Sequence, residues 1–255
     1  RRGPVQRADF RGKVKFRRLI FHLESPAGII FPKVAGPKGI MPCRASSLWL
    51  DFKNFILKAF DLLDVPPPAN PSVTLSVRRR TPSHNVGRVF ADEQKLIDVL
   101  KKKRRDSFTF QVLDLATLPF GEQLRAMRST NVLVGAHGAG LVHVLFLADE
   151  AVLLEIHPSY RLDRHFRLAA RMADKVYLPL RSLLPVKCTG SSDAIAVDIA
   201  EFSSVLDAAL RIARTFHDGV AECGLHCDPR VLALDPGSTP QKGSFPPLST
   251  RFPCS

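Results

Sequence analysis

The sequence predicts an α/β protein built on a parallel β-sheet, and three observations support that prediction. Between residues 72 and 181, short apolar runs of strand length alternate with amphipathic runs of helix length. This alternation is typical of a parallel sheet covered by helices on both faces. A glycine-rich turn at residues 135–140 joins a buried strand to an apolar helix. The hydrophobic fraction of 45% is also large enough for a packed core in a chain of 255 residues.

The N-terminal part of the chain is predicted to contain one helix and a linker. Residues 45–63 carry large apolar side chains at helical spacing, which indicates an amphipathic helix. Pro66-Pro67-Pro68 then indicates an extended linker, which we place at residues 66–71. We therefore assign residues 1–65 to a preceding domain and residues 72–218 to the parallel-sheet domain.

The elements of the parallel-sheet domain follow from apolar runs and the breakers between them. Strands are predicted at 72–77, 108–113, 131–135, 151–156 and 175–178, and helices at 92–104, 120–128, 139–147 and 164–173. A further long amphipathic helix at 200–216 could cross back onto the preceding domain. Residues 219–255 are dominated by Pro, Gly and Ser, and we expect them to form a poorly ordered tail.

The turn Gly135-Ala136-His137-Gly138-Ala139-Gly140 is the first candidate site. Glycines let a backbone approach a ligand closely, and the helix N-terminus that follows suits a phosphate. Glu155 on the next strand could hold ribose hydroxyls, as acids do in other nucleotide-binding folds. The alternative is a turn without a ligand, in which His137 locks its own backbone and Glu155 pairs with an arginine. The order of the glycines does not match the phosphate-binding loop. It matches the dinucleotide-binding fingerprint only loosely.

Arginines at the end of the first predicted strand form the second candidate site. Arg78-Arg79-Arg80 follows the strand 72–77, and Arg88 comes after a turn. Because ligands of open α/β sheets bind beyond the carboxyl ends of the strands, these arginines should face the ligand crevice. There they could hold phosphate oxygens through paired hydrogen bonds. The alternative is a solvated basic turn.

The net charge of +13 is concentrated in two segments. Residues 1–18 hold eight basic and one acidic side chains, and residues 78–105 hold ten and three, so each segment has a charge of +7. The first segment reads as a basic tail or a stem beside a membrane. In the second, the run 101–105 ends a helix, where cations complement the helix dipole. Aromatic residues make up only 8% and indicate no stacking platform for single strands, so we expect no nucleic-acid partner.

Both candidate sites belong to a longer pattern that resembles the glycosyltransferases of family 61. The pattern comprises the arginines, an acidic pair that opens a helix, a Phe-x-Glu-Gln segment and a Gly-x-His-Gly-Ala-Gly-Leu turn. It is carried by Arg78-Arg79, Arg88, Asp92-Glu93, Leu115, Pro119 to Leu124, Met127-Arg128 and Val132 to Leu141. The resemblance covers about residues 72–181, with a weaker match at 46–62. Asp92 stands where the family usually has asparagine, and the third arginine leaves open whether Arg78 or Arg79 contacts phosphate.

The resemblance implies a GT-B architecture, in which two Rossmann-like domains face each other and the C-terminal one binds the donor. Residues 1–65 would then be the remnant of the N-terminal, acceptor-side domain of a truncated chain. The family includes plant xylosyl- and arabinosyltransferases and animal O-linked N-acetylglucosaminyltransferases of the secretory pathway. The implied activity is inverting transfer of a sugar from a nucleotide diphosphate, expected to be a UDP-sugar, to a hydroxyl of a glycan or glycoprotein. The implied location is the Golgi or endoplasmic reticulum lumen, with an N-terminal membrane anchor outside this chain.

The residues expected to bind the donor come from both candidate sites. They are Arg78, Arg79, Arg88, Gly135, His137, Gly138, Ala139, Gly140, Leu141 and Glu155. The sequence contains no Asp-x-Asp, so we expect metal-independent binding with no cofactor besides the nucleotide-sugar co-substrate. The catalytic base is not assigned. The alternative function is a non-catalytic nucleotide- or polyanion-binding module, and a nicotinamide-dependent dehydrogenase is a weaker alternative because its glycine spacing differs.

Overall fold

The computed structural model describes residues 47–66, 68, 70–79, 87–104, 108–149, 151–158, 165–182 and 194–217. The predicted tail at 219–255, most of the predicted N-terminal domain and Arg80 lie outside the described residues.

Five parallel strands form the centre of the molecule. They are β1 (Ser72–Val77), β2 (Thr109–Asp114), β3 (Val132–Ala136), β4 (Val152–His157) and β5 (Val176–Arg181). Their order in the sheet is β2-β1-β3-β4-β5, and every neighbouring pair is parallel. All residues of β3 and β4 are buried, as expected for strands of a parallel sheet that is covered on both faces.

Helices cover both faces of this sheet. On the first face lie α2 (Glu93–Arg104) and α5 (Ile199–His217), which pack on the buried side chains that include Val73, Val134 and Leu154. The second face, which includes Leu133 and Leu153, is covered by α1 (Ser47–Ala59), α3 (Phe120–Arg128), α4 (His165–Met172) and a 3₁₀ helix (Ala139–Phe146). The prediction of an α/β fold with a parallel sheet covered on both faces is confirmed.

Most element boundaries agree with the sequence prediction to within one residue, and two elements differ from it. The strand predicted at 175–178 continues to Arg181 through Pro179, because β5 is an edge strand, where proline is tolerated. The segment predicted as a helix at 139–147 is a 3₁₀ helix. Its buried residues include Leu141, Val144, Leu145 and Phe146, so most of this segment lies in the core.

Two helices at the ends of the described chain both pack on the parallel sheet. Helix α1 was assigned to a preceding domain, but its Leu57 is buried in the same cluster as Leu133 on the second face. The layered structure therefore begins before the predicted boundary at residue 72. Helix α5 was considered as a crossing helix, yet it packs on the first face through the fully buried Phe202.

Within the described ranges, none of the helices is both long and apolar enough to cross a membrane.

Candidate functional site

The strand order creates a switch point between β1 and β3. From β1 the chain moves to β2 on one side, and then returns to place β3, β4 and β5 on the other side. Ligands of open parallel sheets bind at such a point, beyond the carboxyl ends of the strands. Arg78 directly follows β1, and His137 and Gly138 directly follow β3. The two predicted sites therefore meet at the switch point.

The Arg78 guanidinium lies directly against the backbone of Gly138. A Cβ atom added to Gly138 would be 1.9 Å from Nη2 of Arg78 and 2.6 Å from its Cζ, far inside van der Waals contact. A side chain at this position would have to displace the guanidinium, so glycine lets Arg78 keep its place against the turn. The glycine turn and the arginine of the neighbouring strand thus form one surface.

Arg88 reaches the same turn from another segment. Its Nη1 donates a hydrogen bond to the backbone oxygen of His137 at 2.9 Å. The residue has φ of 62°, a left-handed conformation that is uncommon for a non-glycine residue and is often found at functional sites. Burial lowers the pKa of Arg78, the charge of Arg88 lowers it further, and Asp114 opposes both. Two cations are therefore held close together in a half-buried place, where an anion between them would be stabilised.

Arg79 was expected to be a donor-binding residue, and its observed position does not support this. Its guanidinium is exposed and forms an ion pair with Glu93 at 2.7 Å, at the first residue of α2. Its backbone N–H donates to Oδ2 of Asp114 at 3.2 Å. Of the two arginines left open by the sequence, Arg78 is the one that faces the glycine turn.

The other residues of the turn contribute through their backbone. Gly135 is buried, and a Cβ atom there would lie 2.8 Å from Cδ2 of Leu141. Leu141 itself is a core residue, 1% exposed. Its N–H makes the first hydrogen bond of the 3₁₀ helix, to the oxygen of Gly138 at 2.9 Å. A ligand contact from this segment would therefore come from the N–H groups of Ala139 and Gly140, which precede Leu141.

Glu155 was expected to hold ribose hydroxyls, but its side chain is 0% exposed in the structure. Its side chain is fully buried beneath the turn, and both carboxylate oxygens are engaged. Oε1 accepts from Nδ1 of His137 at 2.5 Å, and Oε2 accepts from the hydroxyl of Tyr177 at 2.9 Å. The Nε2 atom of His157 is 3.3 Å from Oε2. This position does not support the expected ribose contact, nor the alternative of a pair with an arginine.

The buried carboxylate remains ionised because of these donors. Burial raises the pKa of Glu155, but the hydrogen bonds from His137 and His157 outweigh burial and hold the pKa below its usual range. A buried charge without such partners would cost several kcal/mol. The group therefore behaves as one hydrogen-bonded network that ties β3, β4 and β5 together at their carboxyl ends.

Sequence reasoning missed His157 and Tyr177 as members of this network. Glu155 and His157 are two residues apart on β4 and so point to the same face of the sheet. The signal in the sequence was this spacing of two polar residues in an otherwise apolar strand. Tyr177 carried no comparable signal, since its partner is set by the pairing of β4 with β5.

One group of side chains in the described part of the chain could supply ligands to a metal ion. It consists of His137, Glu155 and His157. One ligand atom from each lies within 4.8 Å of the others. In a tetrahedral zinc site with bonds of about 2.1 Å, neighbouring ligand atoms are about 3.4 Å apart. The 2.5 Å separation of Nδ1 and Oε1 is instead that of a short hydrogen bond. In the structure, hydrogen bonds therefore join the members of this cluster.

Together, the fold and this site define a class of protein. A parallel α/β sheet with a glycine turn and two converging arginines at its switch point is typical of domains that bind anionic ligands such as nucleotides. The family model for glycosyltransferase 61 matches residues 33–154. This part of the chain therefore matches the glycosyltransferase 61 family, as the resemblance implied.

Relatives of known activity support the same family. The EGF domain-specific O-linked N-acetylglucosamine transferase of Drosophila melanogaster is 34% identical over 118 residues, which are 46% of this chain and 21% of the relative. The protein of the same name from Bos taurus is 26% identical over 151 residues, 57% of this chain and 26% of the relative. Beta-1,2-xylosyltransferase RCN11 of Oryza sativa subsp. japonica is 30% identical over 226 residues, 78% of this chain and 40% of the relative. The chain thus spans between about a fifth and two fifths of the length of these relatives.

Proposed function

We propose that this chain is the donor-binding part of an inverting glycosyltransferase that transfers a sugar from a UDP-sugar to a hydroxyl of a glycan or glycoprotein. The observation that carries the proposal is the convergence of Arg78 and Arg88 on the turn at His137 and Gly138. The family match and the names of the relatives, an N-acetylglucosamine transferase and a xylosyltransferase, support sugar transfer as the reaction.

The two arginines suit the chemistry of the leaving group. In the proposed reaction the acceptor hydroxyl attacks the anomeric carbon from the side opposite the nucleotide, and the nucleoside diphosphate departs with the bonding electrons. Negative charge then grows on the phosphate oxygen, and fixed donors placed around it lower the barrier. Arg78 and Arg88, with the N–H groups at the start of the 3₁₀ helix, are such donors. The two cations repel each other, and a diphosphate between them would neutralise that repulsion.

We further propose that the diphosphate is held without a divalent metal. The sequence has no Asp-x-Asp, and the proposed phosphate site is built from cations instead of carboxylates. The acidic residue that affects this site is Asp114, whose charge raises the pKa of Arg78. Arginine side chains can then supply the charge that a manganese ion supplies in metal-dependent enzymes.

The same proposal includes the architecture and location of the whole protein. We place this domain as the C-terminal half of a GT-B enzyme, whose second Rossmann-like domain supplies the acceptor site and the catalytic base. We place the protein in the lumen of the Golgi or endoplasmic reticulum, held by an N-terminal membrane anchor. One relative is named as specific for an EGF domain and another as a xylosyltransferase. Both names fit acceptors of the secretory pathway.

Titration calorimetry with UDP in excess chelator tests the proposal. Arg78→Ala should weaken UDP binding by about 1.5–3 kcal/mol, the range for a charge-assisted hydrogen bond. Arg79→Ala is the matched control, because Arg79 is the adjacent arginine and pairs with Glu93; its UDP affinity should be unchanged.

Three outcomes would count against the proposal. Equal losses in the two arginine variants would indicate only a general effect of charge. Binding that disappears in chelator would exclude the metal-independent site. Salt-sensitive binding of an oligonucleotide without binding of UDP would favour a polyanion-binding module.

A further inference from the structure

The proposed phosphate site has a carboxylate beside its two arginines. Asp114 is the last residue of β2, and it is paired in the sheet with Val77, the last residue of β1. Its negative charge is close enough to affect the Arg78 guanidinium. A carboxylate near a bound diphosphate would repel it and lower the affinity. This position is unfavourable for an anion site unless Asp114 contributes something that offsets the repulsion.

Both carboxylate oxygens of Asp114 accept hydrogen bonds from the backbone. Oδ2 accepts from the N–H of Arg79 at 3.2 Å, and Oδ1 accepts from the N–H of Ala116 at 3.1 Å. The residues on both sides of Arg78 are thus anchored, Val77 by the sheet and Arg79 by the carboxylate. These contacts fix the backbone from which the Arg78 side chain extends to the glycine turn.

Asp114 is itself held by the segment that follows it. Its backbone oxygen accepts from Oγ1 of Thr117 at 2.8 Å, in a short 3₁₀ turn after β2. From α3, Nε2 of Gln123 donates to the backbone oxygens of Leu115 and Leu118, at 2.8 Å each. Gln123 belongs to the Phe-x-Glu-Gln segment of the sequence pattern. That segment therefore braces the turn that carries Asp114.

We propose that Asp114 is a positioning residue that fixes Arg78 against the glycine turn for binding of the diphosphate. The inference rests on the proposed donor site and adds to it a residue that acts through Arg78. Asp114 favours binding through its hydrogen bonds to the backbone and opposes binding through its charge. Arg79→Ala keeps the backbone N–H that Asp114 holds, so that variant remains a valid control.

Two substitutions that remove the same charge separate these effects. Asp114→Ala removes both acceptors, whereas Asp114→Asn keeps one acceptor oxygen. In calorimetric titrations, Asp114→Ala should bind UDP and inorganic pyrophosphate about fivefold more weakly, because a displaced Arg78 loses part of a charge-assisted hydrogen bond. The affinity of Asp114→Asn should lie between those of Asp114→Ala and the wild type.

Two results of these titrations would overturn the proposal. Tighter or unchanged binding in Asp114→Ala would show that the carboxylate acts only through its charge or not at all. Equal affinities in Asp114→Ala and Asp114→Asn would show that the hydrogen bonds to the backbone have no part in binding.

A double-mutant cycle tests whether the effect passes through Arg78. In the Arg78→Ala background, Asp114→Ala should cause no further weakening of pyrophosphate binding. Persistence of the fivefold loss in that background would overturn the proposal. Gln123→Met removes both donors that brace the turn, and it should weaken pyrophosphate binding about two- to threefold. If Asp114→Ala does not fold, Gln123→Met takes its place, and an unchanged affinity then overturns the proposal.

NMR of the arginine Nε–H groups gives a readout that does not depend on the donor. The Arg78 signal, assigned by its loss in Arg78→Lys, should show restricted motion in the unliganded wild type. In Asp114→Ala it should show the motion of a mobile side chain. If UDP fails to bind the wild type but this difference is found, the proposed function fails and the positioning role stands. Equal mobility of Arg78 in the two proteins would overturn the positioning role.

Discussion

At the scale of single residues, the site depends on a close contact between a glycine and an arginine. Arg78 occupies the space that a side chain on Gly138 would need. Gly140 in the same turn has more space for a side chain. A Cβ atom there would have its nearest described contact at 3.8 Å, to Leu115. The glycines of one turn therefore have different reasons to be glycine.

This difference gives a first prediction with a matched control. Gly138→Ala should push the Arg78 guanidinium out of its position and weaken UDP binding about tenfold or more, as expected for the loss of a charge-assisted hydrogen bond. Gly140→Ala adds the same methyl group at ordinary contact distance and should leave the affinity within about twofold. Calorimetric titration of both variants provides the measurement. Similar affinities for the two variants would contradict the role assigned to the contact.

At the scale of elements, the carboxyl ends of the strands bring the site together. Strand β1 delivers Arg78, β3 delivers His137 and Gly138, and β4 and β5 deliver the network beneath them. The helices hold these ends in place by covering the two faces. Helix α5 contributes most visibly on the first face, where its side chains pack against β3, β4 and β5.

A second prediction tests this role of α5. Phe202→Ala removes a fully buried ring on the first face and should lower the free energy of unfolding by about 3–5 kcal/mol. Phe55→Ala, on α1, makes the same chemical change at a residue that is 70% exposed, and should change it by less than about 0.5 kcal/mol. Urea denaturation followed by circular dichroism gives both values. A small loss for Phe202→Ala would mean that α5 does not stabilise the sheet.

At the scale of the whole molecule, the two ends of the sheet have different electrostatic roles. The carboxyl end holds the candidate site, whereas the amino end holds a cluster around Asp149, which precedes β4. Lys53 is 2.8 Å and Lys175 is 3.6 Å from the same Oδ1 of Asp149. Lys175 is only 2% exposed, so its charge is carried in the interior.

The third prediction follows from this buried lysine. Burial, together with the charge of Lys53, lowers the pKa of Lys175 from 10.5 to about 8. The unfolded chain keeps the proton to higher pH than the folded chain, so stability should rise with pH between about 8 and 10.5. A shift of that size corresponds to about 3 kcal/mol at most.

Lys175→Met provides the measurement. The variant should be more stable than the wild type at pH 7. The difference should shrink as the pH rises from 8 to 10.5, because the wild type then loses the buried charge of Lys175 and the variant has none at this position. Lys101→Met, at an exposed lysine, should leave the pH profile unchanged. Denaturation in urea at several pH values supplies the free energies. A loss of stability at pH 7 in Lys175→Met would show that the pair with Asp149 outweighs the cost of burial.

Much of this fold and part of its site were predictable from local patterns. The strands, the glycine turn and the arginines after β1 are each contained in a few consecutive residues. The roles of Arg79 and Glu155 were not predictable in this way. In a parallel sheet covered on both faces, both sets of strand side chains are apolar, so the pattern around Glu155 does not tell which face it points to.

The sequence by itself determined the alternation of strands and helices, the glycine turn, the cationic character of the site and the resemblance to one family, because these are properties of neighbouring residues. Only the tertiary structure decided which arginine meets Gly138 and what surrounds Glu155. Arg79 turns to Glu93 because α2 begins beside the end of β1, and Glu155 is enclosed because β5 brings Tyr177 next to it. Such contacts depend on strand order and pairing, which join residues far apart in the chain and leave no pattern in any one segment.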